Sequence, residues 1–314
     1  MNYRPKVTII IPVYNGSDFL SQAIETAVNQ TYTNIEIIVV NDGSTDNGMS
    51  EKIALSYGDR IKYYAKENGG VSSALNYALE RMSGEWFSWL SHDDLYYPQK
   101  IEKQIEFINS LPKTVTVKNS VIHCATESID KNGKVIKTPN YSDVEIVEDT
   151  LTTIVGNVFN YRLSGCSFLI PYDCYKEFGG FREDIRTVSD VEYWYRLLFG
   201  GCQFYCMKND ILVQNRSHGK QVGKTKVSLF DEEIEKLHIQ IVDKLATYIN
   251  GNDNRVIEKF YLGLVKRGMK KAAQYTMDTY LQNNMNLSIQ SVYYCLLGRL
   301  RNLARDIFRR IRVK

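Results

Sequence analysis

The first third of the chain alternates short β-branched runs with segments of helical period, and this rhythm limits the fold more than any other feature. Val7-Thr8-Ile9-Ile10-Ile11 ends at Pro12 and reads as a strand buried on both faces. Phe19, Leu20, Ala23, Ile24, Ala27 and Val28 then recur at helical spacing, with Ser17 or Asp18 placed to cap that helix. Ile35 to Val40 is predicted as a second strand, Ile61 to Ala65 as a third and Glu85 to Leu90 as a fourth. Helices are predicted over Val71 to Met82 and from about Pro98 to Ser110, with Pro98 in the first turn of the latter. This order predicts an α/β fold with a mostly parallel central sheet flanked by helices. Ligands of such sheets bind beyond the carboxyl ends of the strands. The ends after Ile11, Val40 and Leu90 carry polar, acidic or glycine-bearing loops, so a ligand site is expected there.

The rest reads differently. Val115 to Ile129 is strand-like, Asp130-Lys131-Asn132-Gly133-Lys134 is a turn leading to Val135-Ile136, and Gly165 to Pro171 is another strand-like run. Helical patterns return at Tyr172 to Glu177 and Val188 to Phe199, and dominate from about Val227 onward. A polar, glycine-bearing stretch from Gly219 to Lys226 suggests a boundary. The expected domains are residues 1–222 and a C-terminal helical region over 223–314. That region ends in an amphipathic basic tail, where Leu296, Leu300, Leu303, Ile307 and Ile311 alternate with Arg299, Arg301, Arg305, Arg309, Arg310, Arg312 and Lys314. Such a helix suits peripheral contact with the inner face of a membrane, or packing on the domain or on a second subunit.

Charge narrows the partners. Formal net charge is only +3 over 314 residues, so nucleic acid is not an expected partner. The six cysteines, Cys124, Cys166, Cys174, Cys202, Cys206 and Cys295, form no CxxC pair and read as reduced, buried thiols. The polar start shows no signal-peptide pattern and no apolar run approaches the ~18 residues of a membrane span, so a cytoplasmic protein is expected.

Several residues carry chemistry, each with a plainer alternative. Asp93-Asp94 closes the fourth strand; two adjacent carboxylates suit a divalent cation that carries a diphosphate, or one of them caps a helix. Asp42, in Asn41-Asp42-Gly43-Ser44, can accept hydrogen bonds from a base or ribose, or simply form a turn. Asn68-Gly69-Gly70-Val71-Ser72 opens a helix whose N–H groups can meet phosphate or ribose oxygens, but it is neither a dinucleotide fingerprint nor a P-loop. Asp190 near a helix start is a cap or a general base, and Glu192, two residues on, points elsewhere. His218, in a polar loop, is exposed or is a metal or phosphate contact.

In one order, VTIIIPVYNGSDFLSQAIETAVNQTYTNIEIIVVNDGSTD, ENGGVSSALNYAL, EWFSWLSHDDLYYPQKIEKQ, GCSFLIPYDCYKEFGGFRED, VSDVEYWYRLL and NRSHGKQVG resemble the blocks of the family-two inverting glycosyltransferases of GT-A fold. The resemblance spans roughly the first 220 positions. It implies that Pro12, Val13, Tyr14, Asn15 and Asp42 line the base and ribose pocket, and that Asn68, Gly70 and Ser72 approach the nucleotide. It puts the acidic metal motif on Ser91-His92-Asp93 with Asp94 beside it, the catalytic base on Asp190, and a residue near metal and diphosphate on His218. It further implies Mn²⁺ or Mg²⁺ and a nucleotide-sugar donor, with UDP foremost. The implied acceptor is a hydroxyl of a glycan, lipid-linked or glycoprotein molecule, as in bacterial polysaccharide assembly. Two positions depart from the family: Ser91 stands where Asp is frequent, and Leu75 where Arg is frequent. A non-catalytic scaffold relative is the alternative, although Asp42, Asp93, Asp190 and His218 are all retained. A nucleotidyltransferase is disfavoured, since no glycine- and lysine-rich phosphate loop follows the first strand.

Overall fold

The computed structural model describes residues 3–140, 145–147, 149–160, 163–221, 225–250 and 254–281. They fall into two compact units: Met1–Thr150 with Leu163–Thr225, and Leu151–Arg162 with Lys226–Lys314.

In the first unit, β1 (Val7–Val13) is buried along its whole length, as its unbroken apolar run requires. It pairs in parallel with β2 (Ile35–Asp42) on one side and β4 (Trp86–Trp89) on the other, and β3 (Lys62–Lys66) extends the parallel set beyond β2. Val7, Ile9, Ile11 and Val13 alternate toward one core, which they share with Leu20, Ala23, Ile24 and Ala27 of α1 (Leu20–Val28) and Ile101, Ile105 and Ile108 of α4 (Lys100–Ser110). Each such aliphatic side chain contributes about 1.5–3 kcal/mol by leaving water. α2 (Met49–Leu55) and α3 (Val71–Leu79) complete the βα repeats.

Beyond β4 the sheet turns mixed. Its order is β3-β2-β1-β4-β8-β6-β9-β5, with β7 (Val135–Lys137) on β6. β8 (Phe168–Pro171) runs antiparallel to both β4 and β6 (Ser120–Ile129), β9 (Gln203–Arg216) runs parallel to β6, and β5 (Leu95–Tyr96) is antiparallel to β9. The chain is thus α/β with a mixed sheet, parallel in its first half. Two helices, α6 (Tyr172–Phe178) and α7 (Ser189–Phe199), follow β8. Fully buried Lys100 ties α4 to the sheet: its Nζ donates to Ser88 Oγ (2.8 Å), Gln104 Oε1 (3.0 Å) and the Phe168 carbonyl (3.3 Å).

Local expectations needed correction. Neither Ser17 nor Asp18 caps α1; the chain enters at Phe19 without a side-chain cap, and the Gly16 carbonyl accepts the Phe19 and Leu20 N–H groups. Asp18 instead pairs with Lys220 at 2.6 Å. Pro98 precedes α4 rather than forming its first turn, because its carbonyl turns outward to the Thr31 N–H at 2.9 Å. Val117–Asn119 and Gly165–Ser167 are 3₁₀ turns where strand was expected.

The second unit contains α5 (Thr150–Asn160), α8 (Val227–Tyr248), α9 (Asn254–Arg267) and α10 (Lys270–Thr276), followed by a π-turn over Met277–Leu281. Arg267 Nε donates to the Val158 carbonyl (2.8 Å), and buried His238 packs against Phe260 with ring centroids 5.9 Å apart. The basic tail over 296–314 and Cys295 lie outside the described residues. Among those described, no helix is long and apolar enough to cross a membrane.

Candidate active site

β1 is flanked by β2, which follows it through α1, and by β4, which the chain reaches only after β3. The strand order therefore reverses at β1, and a crevice opens beyond its carboxyl end. Pro12 and Val13 are buried in the strand end, and Tyr14 projects from it, 47% exposed. Asn15 takes a left-handed conformation (φ +50) that Asn tolerates well. From there its N–H donates to Ser44 Oγ (3.0 Å), and its Oδ1 accepts the Thr45 N–H (2.7 Å). Asn15 thereby fastens the loop after β1 to the loop after β2. The ring of His92 lies against Gly16: a Cβ there would sit 2.3 Å from His92 Cδ2. Burial pushes the His92 pKa down, against a hydrogen bond to the Pro12 backbone and the charge of Asp93.

Asp42 ends β2 with its carboxylate turned into the loop after β3. Oδ1 accepts Lys66 Nζ and the Gly69 N–H, both at 2.9 Å. Oδ2 accepts the Gly70 N–H at 2.7 Å and Asn68 Nδ2 at 3.2 Å. Asp42 thus organises the Asn68–Ser72 loop. Gly70 is required by its backbone, whose φ of +90 side-chain-bearing residues rarely adopt. Ser72 is buried, and its hydroxyl donates to Ser189 Oγ at 2.7 Å, so it faces α7 instead of the crevice.

The Ser91–Asp94 step leads from β4 into the short β5, so Asp94 is no helix cap. Both of its carboxylate oxygens are engaged in the interior: Oδ1 accepts the Arg216 N–H at 2.8 Å and Oδ2 the Cys166 thiol at 3.1 Å. Burial and the neighbouring Asp93 charge push its pKa up to about 7, against those two donors. The same thiol lies 3.4 Å from Ser91 Oγ, and burial holds it well above the usual thiol range. Asp93 is mostly covered, its side chain 13% exposed, and its Oδ2 lies 2.8 Å from His218 Nε2. The Lys220 N–H donates to His218 Nδ1 at 3.3 Å, so Nδ1 accepts and Nε2 carries the proton that binds Asp93.

Asp190 lies in the first turn of α7. Burial raises its pKa to about 6, against the N–H groups of Val191 and Asp190 itself. The segment before α7 is fastened to the Asn68–Ser72 loop and to α3: Arg186 donates to the Gly69 carbonyl, and Asn76 of α3 exchanges two hydrogen bonds with the Phe181 backbone, both at 2.8 Å. Glu192 turns away, as its spacing implies, and pairs with Arg196 at 2.9 Å.

Sequence reasoning gave no role to two residues here. One is Cys166, the thiol between Ser91 and Asp94. The other is Arg216, only 2% exposed, whose Nε donates to the Asp93 carbonyl (2.8 Å). The available signal was the position of Arg216, two residues before His218. Among the described residues, no three His, Cys, Asp or Glu side chains cluster so as to hold a metal ion.

The fold and the step at the end of β4 define a class. The model of Glycosyl transferase family 2 matches residues 8–177, more than half of the chain, and the chain belongs to that family. One relative is an uncharacterized glycosyltransferase of Rickettsia bellii (strain RML369-C), 44% identical over 244 residues covering 78% of this chain and 34% of the relative. The chain thus spans about a third of that relative's length. Two solved structures share the fold. S. aureus TarS 1–349 in complex with UDP is 16% identical, with TM-score 0.59, over 88% of this chain and 89% of that one. The mannosyltransferase PcManGT from Pyrobaculum calidifontis, in complex with GDP-Man and Mn²⁺, is 14% identical, with TM-score 0.57, over 96% and 88%.

Proposed function

We propose that this chain transfers a glycosyl group, with inversion, from a nucleoside diphosphate sugar to a hydroxyl of a glycan, lipid-linked or glycoprotein acceptor. UDP is the favoured nucleotide. The observation that carries the reading is the meeting of Asp93 and His218 at the end of β4, beside the loops after β1, β2 and β3.

The donor set at that point fits Mn²⁺ or Mg²⁺. A carboxylate oxygen and an imidazole nitrogen converge at 2.8 Å, and a shift of the ring proton from Nε2 to Nδ1, in exchange for the long 3.3 Å contact with the Lys220 N–H, would leave an Nε2 lone pair directed at the same spot. Cations of this kind are commonly held by one or two protein groups and completed by substrate phosphates and water. Asp93 and His218 would hold the ion; Asp94 supports Asp93 from behind, since its own oxygens are engaged. When bound, the ion supplies charge neutralisation for the departing diphosphate.

The chain's own residues supply the rest. Tyr14 and Asn15 border the base and ribose site after β1, with Pro12 and Val13 as its floor. Asp42 acts on the nucleotide through the loop it holds, presenting the Asn68–Gly70 backbone. His92, lodged on Gly16, stiffens the wall between that pocket and Asp93. Asp190 accepts the proton of the acceptor hydroxyl on a carboxylate oxygen as that hydroxyl attacks the anomeric carbon. Its raised pKa makes it a stronger base than an exposed aspartate while leaving it ionised at neutral pH.

The test is a screen of UDP-, dTDP- and GDP-sugars with Mn²⁺, read by thermal stabilisation and by release of the nucleoside diphosphate. Stabilisation and turnover with one donor class support the reading. No response to any donor would favour a non-catalytic scaffold.

A further inference from the structure

Arg216, like Lys100, is a buried cation of the first unit that meets no carboxylate oxygen, and its guanidinium lies beside the Asp93-Asp94 step. Its donors go to neutral acceptors: the Asp93 carbonyl from Nε (2.8 Å), the Lys131 and Asp130 carbonyls from Nη1 (3.0 and 3.4 Å), and Gln22 Oε1 from Nη2 (2.8 Å). The Phe19 ring covers it, 4.6 Å from centroid to guanidinium carbon. A buried cation is costly to maintain without nearby negative charge. That charge comes from Asp93, Asp94 and Asp130, none of which it meets as a side-chain ion pair.

The placement has a mechanical side as well. The stretch Arg216–His218 grips the acidic step at three points: the Arg216 N–H on Asp94 Oδ1, Arg216 Nε on the Asp93 carbonyl, and His218 Nε2 on Asp93 Oδ2. The first turns Asp94 inward. The second fixes the peptide plane after Asp93. The third sets the Asp93 carboxylate. Through Gln22 and the 130–131 carbonyls, the same guanidinium anchors this grip to α1 and to the β6–β7 turn.

We propose that Arg216 is the positioning residue of the cation site: it holds Asp93 so that this one carboxylate, with His218, receives the divalent ion, and it turns Asp94 into a supporting group. The inference rests on the reading of the site given above. Lysine cannot replace it, because an ammonium lacks the planar fork whose three nitrogens reach partners in separate directions.

The experiment measures the apparent Kd of Mn²⁺ at saturating UDP by isothermal titration calorimetry, alongside metal-free thermal unfolding, for the wild-type chain, Arg216→Lys and Gln22→Ala. Arg216→Lys is expected to weaken Mn²⁺ at least tenfold. Gln22→Ala, which removes one exposed anchor of the fork, is expected to weaken it at least twofold with unchanged melting. Mn²⁺ affinities within experimental error of wild type in both variants would overturn the proposal. If Arg216→Lys does not fold, Gln22→Ala decides by the same criterion. A wild-type chain that transfers sugar without binding Mn²⁺ also overturns it, while leaving the glycosyltransferase reading intact. A wild-type chain that neither transfers sugar nor binds UDP overturns both.

Discussion

Asp190 is set at the start of α7, its carboxyl raised to about 6 chiefly by burial. As a base it must be ionised, so kcat/KM is expected to climb as pH rises through about 6 and to level off above it. Asp190→Asn is expected to lower kcat by roughly 10²–10⁴-fold while UDP affinity stays within about twofold. A flat pH profile from pH 5 to 8, or a variant with full activity, would remove Asp190 from this role. Gly16 carries a second residue-scale prediction. With His92 lodged against its α-carbon, a methyl group must displace either the imidazole or the loop. Gly16→Ala is expected to cost about 1–3 kcal/mol in stability and to weaken UDP, measured by urea unfolding and calorimetry. Gly48 offers the control, because nothing lies within 4 Å of a Cβ built there, although its φ of +75 still disfavours one.

At the scale of elements, the sheet is held at its far end by a buried charge. Glu36 of β2 accepts Thr8 Oγ1 of β1 at 2.7 Å, Lys62 Nζ of β3 at 2.5 Å, and the Ser83 N–H and hydroxyl ahead of β4 at 2.8 and 2.9 Å. Burial alone would raise its pKa, but these donors outweigh it and hold the carboxyl down at about 2. A depressed carboxyl stabilises the fold above its unfolded pKa and loses that contribution as pH falls through its folded one. Glu36→Gln is therefore expected to cost about 2–3 kcal/mol at pH 7, with the difference from wild type shrinking between about pH 4.5 and pH 2. Denaturant unfolding at both ends of that range checks it; a gap that stays constant with pH would show that the carboxylate charge is not what matters.

For the whole molecule, cation dependence is the broadest consequence. Asp93 and His218 lie far apart in the sequence of the first unit and meet once β9 has been laid beside β6. A chelator is expected to reduce transfer at least tenfold, with Mn²⁺ restoring it, while metal-free melting moves by no more than about 2 °C because the Asp93–His218 hydrogen bond closes the gap. A melting temperature that collapses on chelation would point instead to a structural ion.

The sequence by itself determined the parallel half of the sheet, because β1 and β2 are apolar on both faces and only a helix-covered parallel sheet buries such runs. It also determined which loops cluster, since strand order and handedness bring the ends after Ile11, Val40 and Leu90 together. The comparison of motif blocks named Asp93, Asp190 and His218. β9 was not legible: Gln203 to Arg216 mixes Lys208, Asn209 and Asp210 with apolar residues, and its partners lie about 80 positions away on β6. Nor was the orientation of Ser72, which a helical period leaves open until Ser189 arrives to bond it. Read from the residues alone, Asp93 and Asp94 are two adjacent carboxylates on one short step; the motif comparison already set Asp93 as the direct ligand and Asp94 as its support. What only the tertiary structure decided is the physical difference between them: it brings the Arg216 backbone and the Cys166 thiol, from strands and turns remote in the chain, onto one carboxylate and His218 onto the other.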